Sequence, residues 1–94
     1  MGLKFKLGEI LADMDMAKNR LAVEGKIRPA TIAKYVEGKM GRIEVETLVA
    51  ILNTLNDLAP IVEKENAEDP KKKPYTAKQY SLEDIIEYKY DGAN

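Results

Sequence analysis

Basic side chains are concentrated between residues 18 and 42. This stretch contains seven lysines and arginines and two glutamates, so its local charge is +5, whereas the chain of 94 residues has a net charge of -1. Lysine and arginine donate charge-assisted hydrogen bonds to phosphate oxygens, and the stretch could therefore bind a nucleic-acid backbone. A solvated surface can have the same composition. The positions of these residues on the helices are therefore needed to distinguish the two interpretations.

The residue types that most catalytic and metal sites need are missing. The sequence contains no histidine and no cysteine, which removes imidazole and thiolate ligands and the usual general base. Asp13 and Asp15 form an Asp-X-Asp pair, but no glycine and distal glutamate complete a calcium loop. The remaining hydroxyls and carboxylates show no nucleophile paired with a base. We therefore expect no enzymatic activity, no metal and no cofactor.

Length and composition are typical of one small soluble domain. A chain of 94 residues with 45% hydrophobic and 33% charged residues holds a single core. No apolar run approaches the about 18 residues of a membrane span. The N-terminus lacks the basic and apolar regions of a secretion signal. We expect a cytoplasmic protein that does not associate with membranes.

The hydrophobic pattern predicts a strand and four helices in the first sixty residues. Residues 3–7 alternate as a short strand does, and helical spacing follows. The predicted helices are 7–14, 17–24, 29–37 and 45–59. We expect Gly25 to end the second helix in the left-handed conformation, while Pro29 begins the third and Gly38 ends it. The fourth helix should end before Pro60. Its expected core face is Val45, Leu48, Val49, Leu52 and Leu55.

The last third of the chain predicts an irregular segment and a closing element. Residues 60–80 are polar and interrupted by prolines, which indicates a mobile loop or arm. Ser81 and Asp84 have the spacing of a near capping box for a last helical turn, and an alternating strand follows it. Because an isolated strand leaves its backbone groups unpaired, we expect the two terminal strands to pair. The expected organisation is one domain, 1–94, with a core at 3–59, an arm at 60–80 and a closing helix and strand at 81–91.

Two short helices joined by a tight turn have the plan of a helix-turn-helix. Residues 7–59 resemble the Cro and lambda-repressor-like (XRE-type) DNA-binding domains. The matching residues are Leu21, Ala22, Ile27, Thr31, Ile32, Gly38 and Lys39. Residues 42–48 and 82–88 are also similar to the approach to helix four and to the last helix and closing strand of small members. The resemblance implies a mainly α bundle of about five helices, with a small ribbon that pairs the termini.

The sequence departs from this family in three places. Lys18 occupies the position near the start of helix two where the family usually has glutamine, so a base contact by that glutamine is not expected. The glycine of the turn stands at Gly25 and leaves Lys26 in its usual place. Residues 60–80 have no counterpart in short members.

The resemblance implies a sequence-specific DNA-binding transcriptional regulator, and we expect a repressor. The third helix can enter the major groove of double-stranded DNA with its N-terminal turn first. Arg28 can form a bidentate contact with guanine and Ala30 can touch a thymine methyl, while flanking cations bind phosphate. The expected DNA-binding residues are Lys18, Arg28, Pro29, Ala30, Thr31, Lys34, Lys39 and Arg42. We expect a homodimer on an inverted-repeat operator, because one short helix buries too little surface for tight binding.

A different class of function stays open. The near-neutral total charge and the acidic last third also fit a protein-interaction module, such as an antitoxin-like or adaptor subunit. Such a module would bind a protein partner through residues 60–94. The two functions could coexist in one chain.

Overall fold

The computed structural model describes residues 2–90, which contain five helices and a two-stranded sheet joined by turns and one irregular segment. In chain order the elements are β1 (Leu3–Phe5), α1 (Leu7–Met14), α2 (Lys18–Gly25), α3 (Pro29–Glu37), α4 (Val45–Glu68), α5 (Leu82–Ile85) and β2 (Ile86–Tyr88). The predicted mainly α bundle with a terminal ribbon is confirmed. Residue 91, the end of the predicted closing strand, lies outside the described residues.

The apolar positions of α1 explain how it anchors the core. Leu7, Ile10, Leu11 and Met14 follow one another at helical spacing, and all four are buried. Burying side chains of this size contributes about 1.5–3 kcal/mol each. The start of the helix is joined to α5, because the Lys6 backbone N–H donates to the carbonyl of Ile85 at 2.7 Å. This bond places the last helix next to the first.

The turn between α2 and α3 differs from the prediction in one residue. Gly25 is the last residue of α2, and Lys26 adopts the left-handed conformation with a φ of 56°. Gly25 is instead explained by close packing: a Cβ atom there would lie 2.8 Å from Oγ1 of Thr54. Gly38 ends α3 with a φ of 73°, as predicted.

The prediction that the fourth helix ends before Pro60 is wrong. α4 contains 24 residues and passes through Pro60, which removes one backbone donor from the helix. Tertiary contacts compensate for this loss, because Asn66 Nδ2 donates to the carbonyl of Met14 at 2.9 Å. Arg20 also donates two hydrogen bonds to Glu65, at 2.7 and 3.1 Å. Residues 60–68 are therefore helical and do not belong to an irregular arm.

The predicted core face of α4 is also partly wrong. Leu55 is fully buried, but Val45 and Val49 are 74% and 47% exposed. The helix continues beyond the predicted end, so its core face is centred further along the chain. The residues that it buries are Ile51, Thr54, Leu55, Leu58, Ala59, Val62 and Asn66. By length and composition α4 could cross a membrane, but these side chains make it the central helix of the bundle.

Residues 69–80, called the strap below, run back along the bundle without regular structure. Tyr80, at its end, is buried. The side chain of Asn56 holds the Tyr80 backbone from both sides: Oδ1 accepts from its N–H at 2.6 Å and Nδ2 donates to its carbonyl at 3.1 Å. The hydroxyls of Tyr75 and Tyr80 are 2.6 Å apart. Burial raises the pKa of Tyr80, and the hydrogen bond with Tyr75 adds to the effect. The strap is thus packed against α4.

The predicted pairing of the termini is confirmed. β1 and β2 are antiparallel, with Leu3 opposite Tyr88 and Phe5 opposite Ile86. The Lys89 N–H extends the pairing by donating to the carbonyl of Gly2 at 2.6 Å. The capping box of Ser81 and Asp84 that begins α5 is present as well.

Ending the chain at Glu87 is expected to lower the free energy of unfolding by about 1–2 kcal/mol relative to a chain that ends at Lys89. The shorter chain loses the pairing of Tyr88 with Leu3 and the hydrogen bond of Lys89, while α5 is kept. Urea denaturation of both chains would measure the difference. Identical midpoints would contradict a stabilising role for the ribbon.

Candidate DNA-binding surface

The third helix presents an exposed face because its apolar residues lie on the other side. Ile32 and Tyr35 are fully buried, whereas Arg28, Ala30 and Lys34 are exposed. Arg28 precedes the helix in an extended conformation, with φ of -61° and ψ of 132°. Pro29 occupies the first turn, where a missing backbone donor costs nothing. These three of the expected DNA-binding residues are therefore accessible.

Arg28 and Thr31 border a groove between the turn and the start of α4. Thr31 is only partly exposed. The opposite wall carries Glu44 and Glu46, which the sequence prediction did not include in the site. Their negative charges repel a phosphate at this end of α3. They can instead accept hydrogen bonds from the donor groups of a base edge. In the sequence these two glutamates could have been noticed because they stand two residues apart at the start of α4.

A second groove brings Lys34 and Arg42 together. Both residues line it together with Thr31 of α3, Thr47 of α4 and Glu44, whose single negative charge is outnumbered by the two cations. Neither cation forms an ion pair among residues 2–90. Two unpaired cations on one side of the exposed helix can bind successive phosphates.

Lys18 lies on the other side of α3, at the N-terminus of α2. It lines a groove with Val36 of α3 and with Lys72 of the strap. The N-cap position, Ala17, offers no side-chain hydrogen bond to the first turn of α2. The Arg20 N–H donates to the Ala17 carbonyl at 3.1 Å, and the two preceding N–H groups of the turn can face an anion. Lys72 was missed by the sequence prediction, although the run of lysines at 71–73 was visible.

Two further cations of the basic stretch have acidic partners. Lys39 lies just beyond α3, with Nζ 4.0 Å from Oε1 of Glu37 and its side chain 77% exposed, so this pair is weak. Arg20 is held by Glu65, and its hydrogen bonds keep the pKa of that carboxyl below its usual range. Lys39 thus stays available to phosphate, whereas the charge of Arg20 is locally balanced.

Tyr35 is a packing residue of α3. Its ring is 6.1 Å from that of Phe5 in an edge-to-face arrangement. The hydroxyl is buried and has no hydrogen-bond partner within the described residues. Burial raises the pKa of Tyr35, and the charge of Glu44 raises it further. The side chain joins α3 to β1 and is inaccessible to bases.

Comparison with known families agrees with this arrangement. Residues 6–56 match the family model of the Cro/C1-type HTH DNA-binding domain. The match covers more than half of the chain and includes α1, α2, α3 and the first half of α4. No significant match is found among curated proteins or solved structures.

Proposed function

Because the chain belongs to the Cro/C1-type HTH DNA-binding domain family and is thus a DNA-binding regulator, we propose that it acts as a sequence-specific transcriptional repressor. It would regulate by occupying an operator, without catalysis. The observation that carries the proposal is the exposed N-terminal half of α3, with cations on both of its sides. A DNA-binding domain acts inside the cell, and we propose the cytoplasm as its compartment.

In the proposed complex α3 enters the major groove with its N-terminal turn first. Arg28 offers its guanidinium to the O6 and N7 atoms of a guanine, and Ala30 touches a thymine methyl. Pro29 fixes the backbone between these two residues, and Thr31 follows them along the helix. Glu44 and Glu46 border the same groove and would disfavour a phosphate next to Arg28. Base contacts in this region would provide the specificity.

Phosphate contacts are proposed for the cations around α3. Lys18 lies at the start of α2, Lys34 and Arg42 share a groove, and Lys39 follows the helix. Contacts to the sugar-phosphate backbone would fix the orientation of α3 but would carry no sequence information. Selection of bound fragments from random duplex DNA would test the proposed function, and recovery of no preferred sequence would contradict it.

We expect the operator to be an inverted repeat that binds two copies of the chain. One recognition helix of nine residues buries too little surface for tight specific binding, and two-fold pairing would place two such helices about 34 Å apart. Footprinting of the selected sequence should show two half-sites about one helical turn apart. Protection of a single asymmetric half-site by one chain at full affinity would contradict the homodimer.

Repression would follow from the same occupancy. A dimer seated over a promoter would exclude other proteins from the DNA without a further contact. Expression of a reporter gene placed behind the selected operator should fall when the chain is present. Increased expression would assign the protein to activators instead.

A protein-interaction module is the second candidate function. Leu82, Tyr88 and Tyr90 expose apolar surface at the end of the described chain, and aromatic residues are enriched at protein interfaces. A partner bound there would leave the face of α3 accessible. If this were the whole function, DNA affinity would be weak and unselective.

A further inference from the structure

Three consecutive lysines of the strap, residues 71–73, lie outside the part of the chain that matches the family. All three are exposed. The strap is attached to the turn between α1 and α2, because Lys72 Nζ donates to the Asp15 carbonyl at 2.9 Å and the Lys73 N–H donates to Asp15 Oδ2 at 3.1 Å. These bonds hold the lysines close to the N-terminus of α2.

Because α4 continues to Glu68, the strap begins close to the N-terminus of α2. The bonds of Arg20 with Glu65 and of Asn66 with Met14 join its last turns to α2 and to the end of α1. The chain reverses directly afterwards, because Asp69 accepts hydrogen bonds from the backbone N–H groups of the next lysines, at 2.9 Å through Oδ1 and at 3.0 Å through its carbonyl. The lysine run therefore begins where α4 meets the start of α2.

The groove lined by Lys18 also contains Lys72. In a helix-turn-helix the first helix of the pair crosses the DNA backbone, and α2 has this place in the present chain. A cation that shares a groove with the start of α2 is thus close to the expected path of the phosphates.

The charges of these lysines are not neutralised by ion pairs, although Lys73 borders a groove with Asp13 and Lys72 borders one with Asp15. Neither Lys71 nor Lys73 forms a side-chain ion pair within the described part of the chain. The ammonium of Lys72 contacts a carbonyl oxygen of the backbone. The nearby carboxylate of Glu65 already accepts two hydrogen bonds from Arg20.

We propose that the lysine run at 71–73 binds the phosphate backbone of DNA beside α2, so that the strap extends the footprint beyond the helix-turn-helix. The assignment rests on the proposed function, since it takes the DNA to lie across α2 and α3. Contacts to phosphate are independent of sequence. The strap should therefore increase affinity for every duplex and leave the preference for the operator unchanged.

The test compares Lys71→Gln/Lys73→Gln with the unmodified chain on two duplexes of about 30 bp, roughly three helical turns. One duplex is the sequence obtained by selection, and the other is a scrambled version of it. The double variant keeps Lys72 and the backbone donor that binds Asp15. The slope of log affinity against log salt should fall by roughly two on both duplexes. Restoring the charges with Lys71→Arg/Lys73→Arg should restore the slope.

Lys64→Gln is the matched control, because Lys64 is an exposed lysine of α4 and its loss changes the net charge without touching the strap. An unchanged slope in the double variant would overturn the inference and leave the proposed function intact. A fall of about one in Lys64→Gln, half of that expected for the double variant, would also overturn it, since the effect would then be one of total charge. If the unmodified chain binds both duplexes equally, the proposed sequence specificity fails, while the slope of the double variant still decides whether the strap binds phosphate.

Discussion

Replacing Arg28 by alanine is expected to weaken binding to the selected operator by about 1–3 kcal/mol, and binding to a scrambled duplex far less. The reason is the position of Arg28 on the first residue before α3, exposed and in an extended conformation. An arginine at this position can form two hydrogen bonds with a guanine. Its replacement therefore costs affinity only on a duplex that presents that guanine. Gel-shift titrations on the two duplexes would give both affinities.

Lys39→Ala is the control for this experiment. Lys39 lies beyond the other end of α3 and has only a weak acidic partner, so its loss should weaken both complexes alike and reduce the salt slope by about one. Equal losses for Arg28→Ala on both duplexes would remove Arg28 from the residues that read bases.

Replacing Asn56 by alanine is expected to lower the free energy of unfolding by about 2 kcal/mol. Its side chain both accepts from and donates to the Tyr80 backbone, and each hydrogen bond of this kind contributes about 1 kcal/mol, with a further penalty for polar groups left without a partner. The strap should detach in the variant. Urea denaturation would give the stability, and limited trypsin digestion after Lys71 and Lys72 should become faster.

Asn53 provides the matched control for this substitution. It lies one helical turn earlier on α4 and is exposed, so Asn53→Ala changes the helix propensity in the same way without freeing the strap. Equal stability of the two variants would contradict the role given to Asn56.

The helices whose residues repeat at helical spacing were predictable from the sequence. The four apolar residues of α1 needed no tertiary information, because every one of them faces the core. Pro29 and Gly38 likewise mark the two ends of α3 through their own backbone preferences. Arg28, Ala30 and Lys34, which are among the expected DNA-binding residues, are exposed.

The errors arise where distant residues override local preference. Pro60 is a strong signal for a helix end, but contacts of Asn66 and Glu65 with α1 and α2 hold the helix beyond it. Gly25 suggested a left-handed residue, whereas its lack of a Cβ accommodates Thr54 from α4. Neither contact can be read from neighbouring positions. Lys72 lines the same groove as Lys18 only because of the path that the strap takes along the bundle, and this path cannot be read from the local sequence either.

The pairing of β1 with β2 determines when the domain can be completed during synthesis. It joins residue 3 to residue 88, so the first strand has no partner until residue 88 has been translated. At about 5–20 residues per second, β1 waits roughly 4–17 s for β2. The helix-turn-helix, formed by neighbouring segments, needs no such delay. A strand of three residues offers little edge for misplaced pairing while it waits, and closure of the ribbon is thus a late step that leaves the nascent chain little exposed to aggregation.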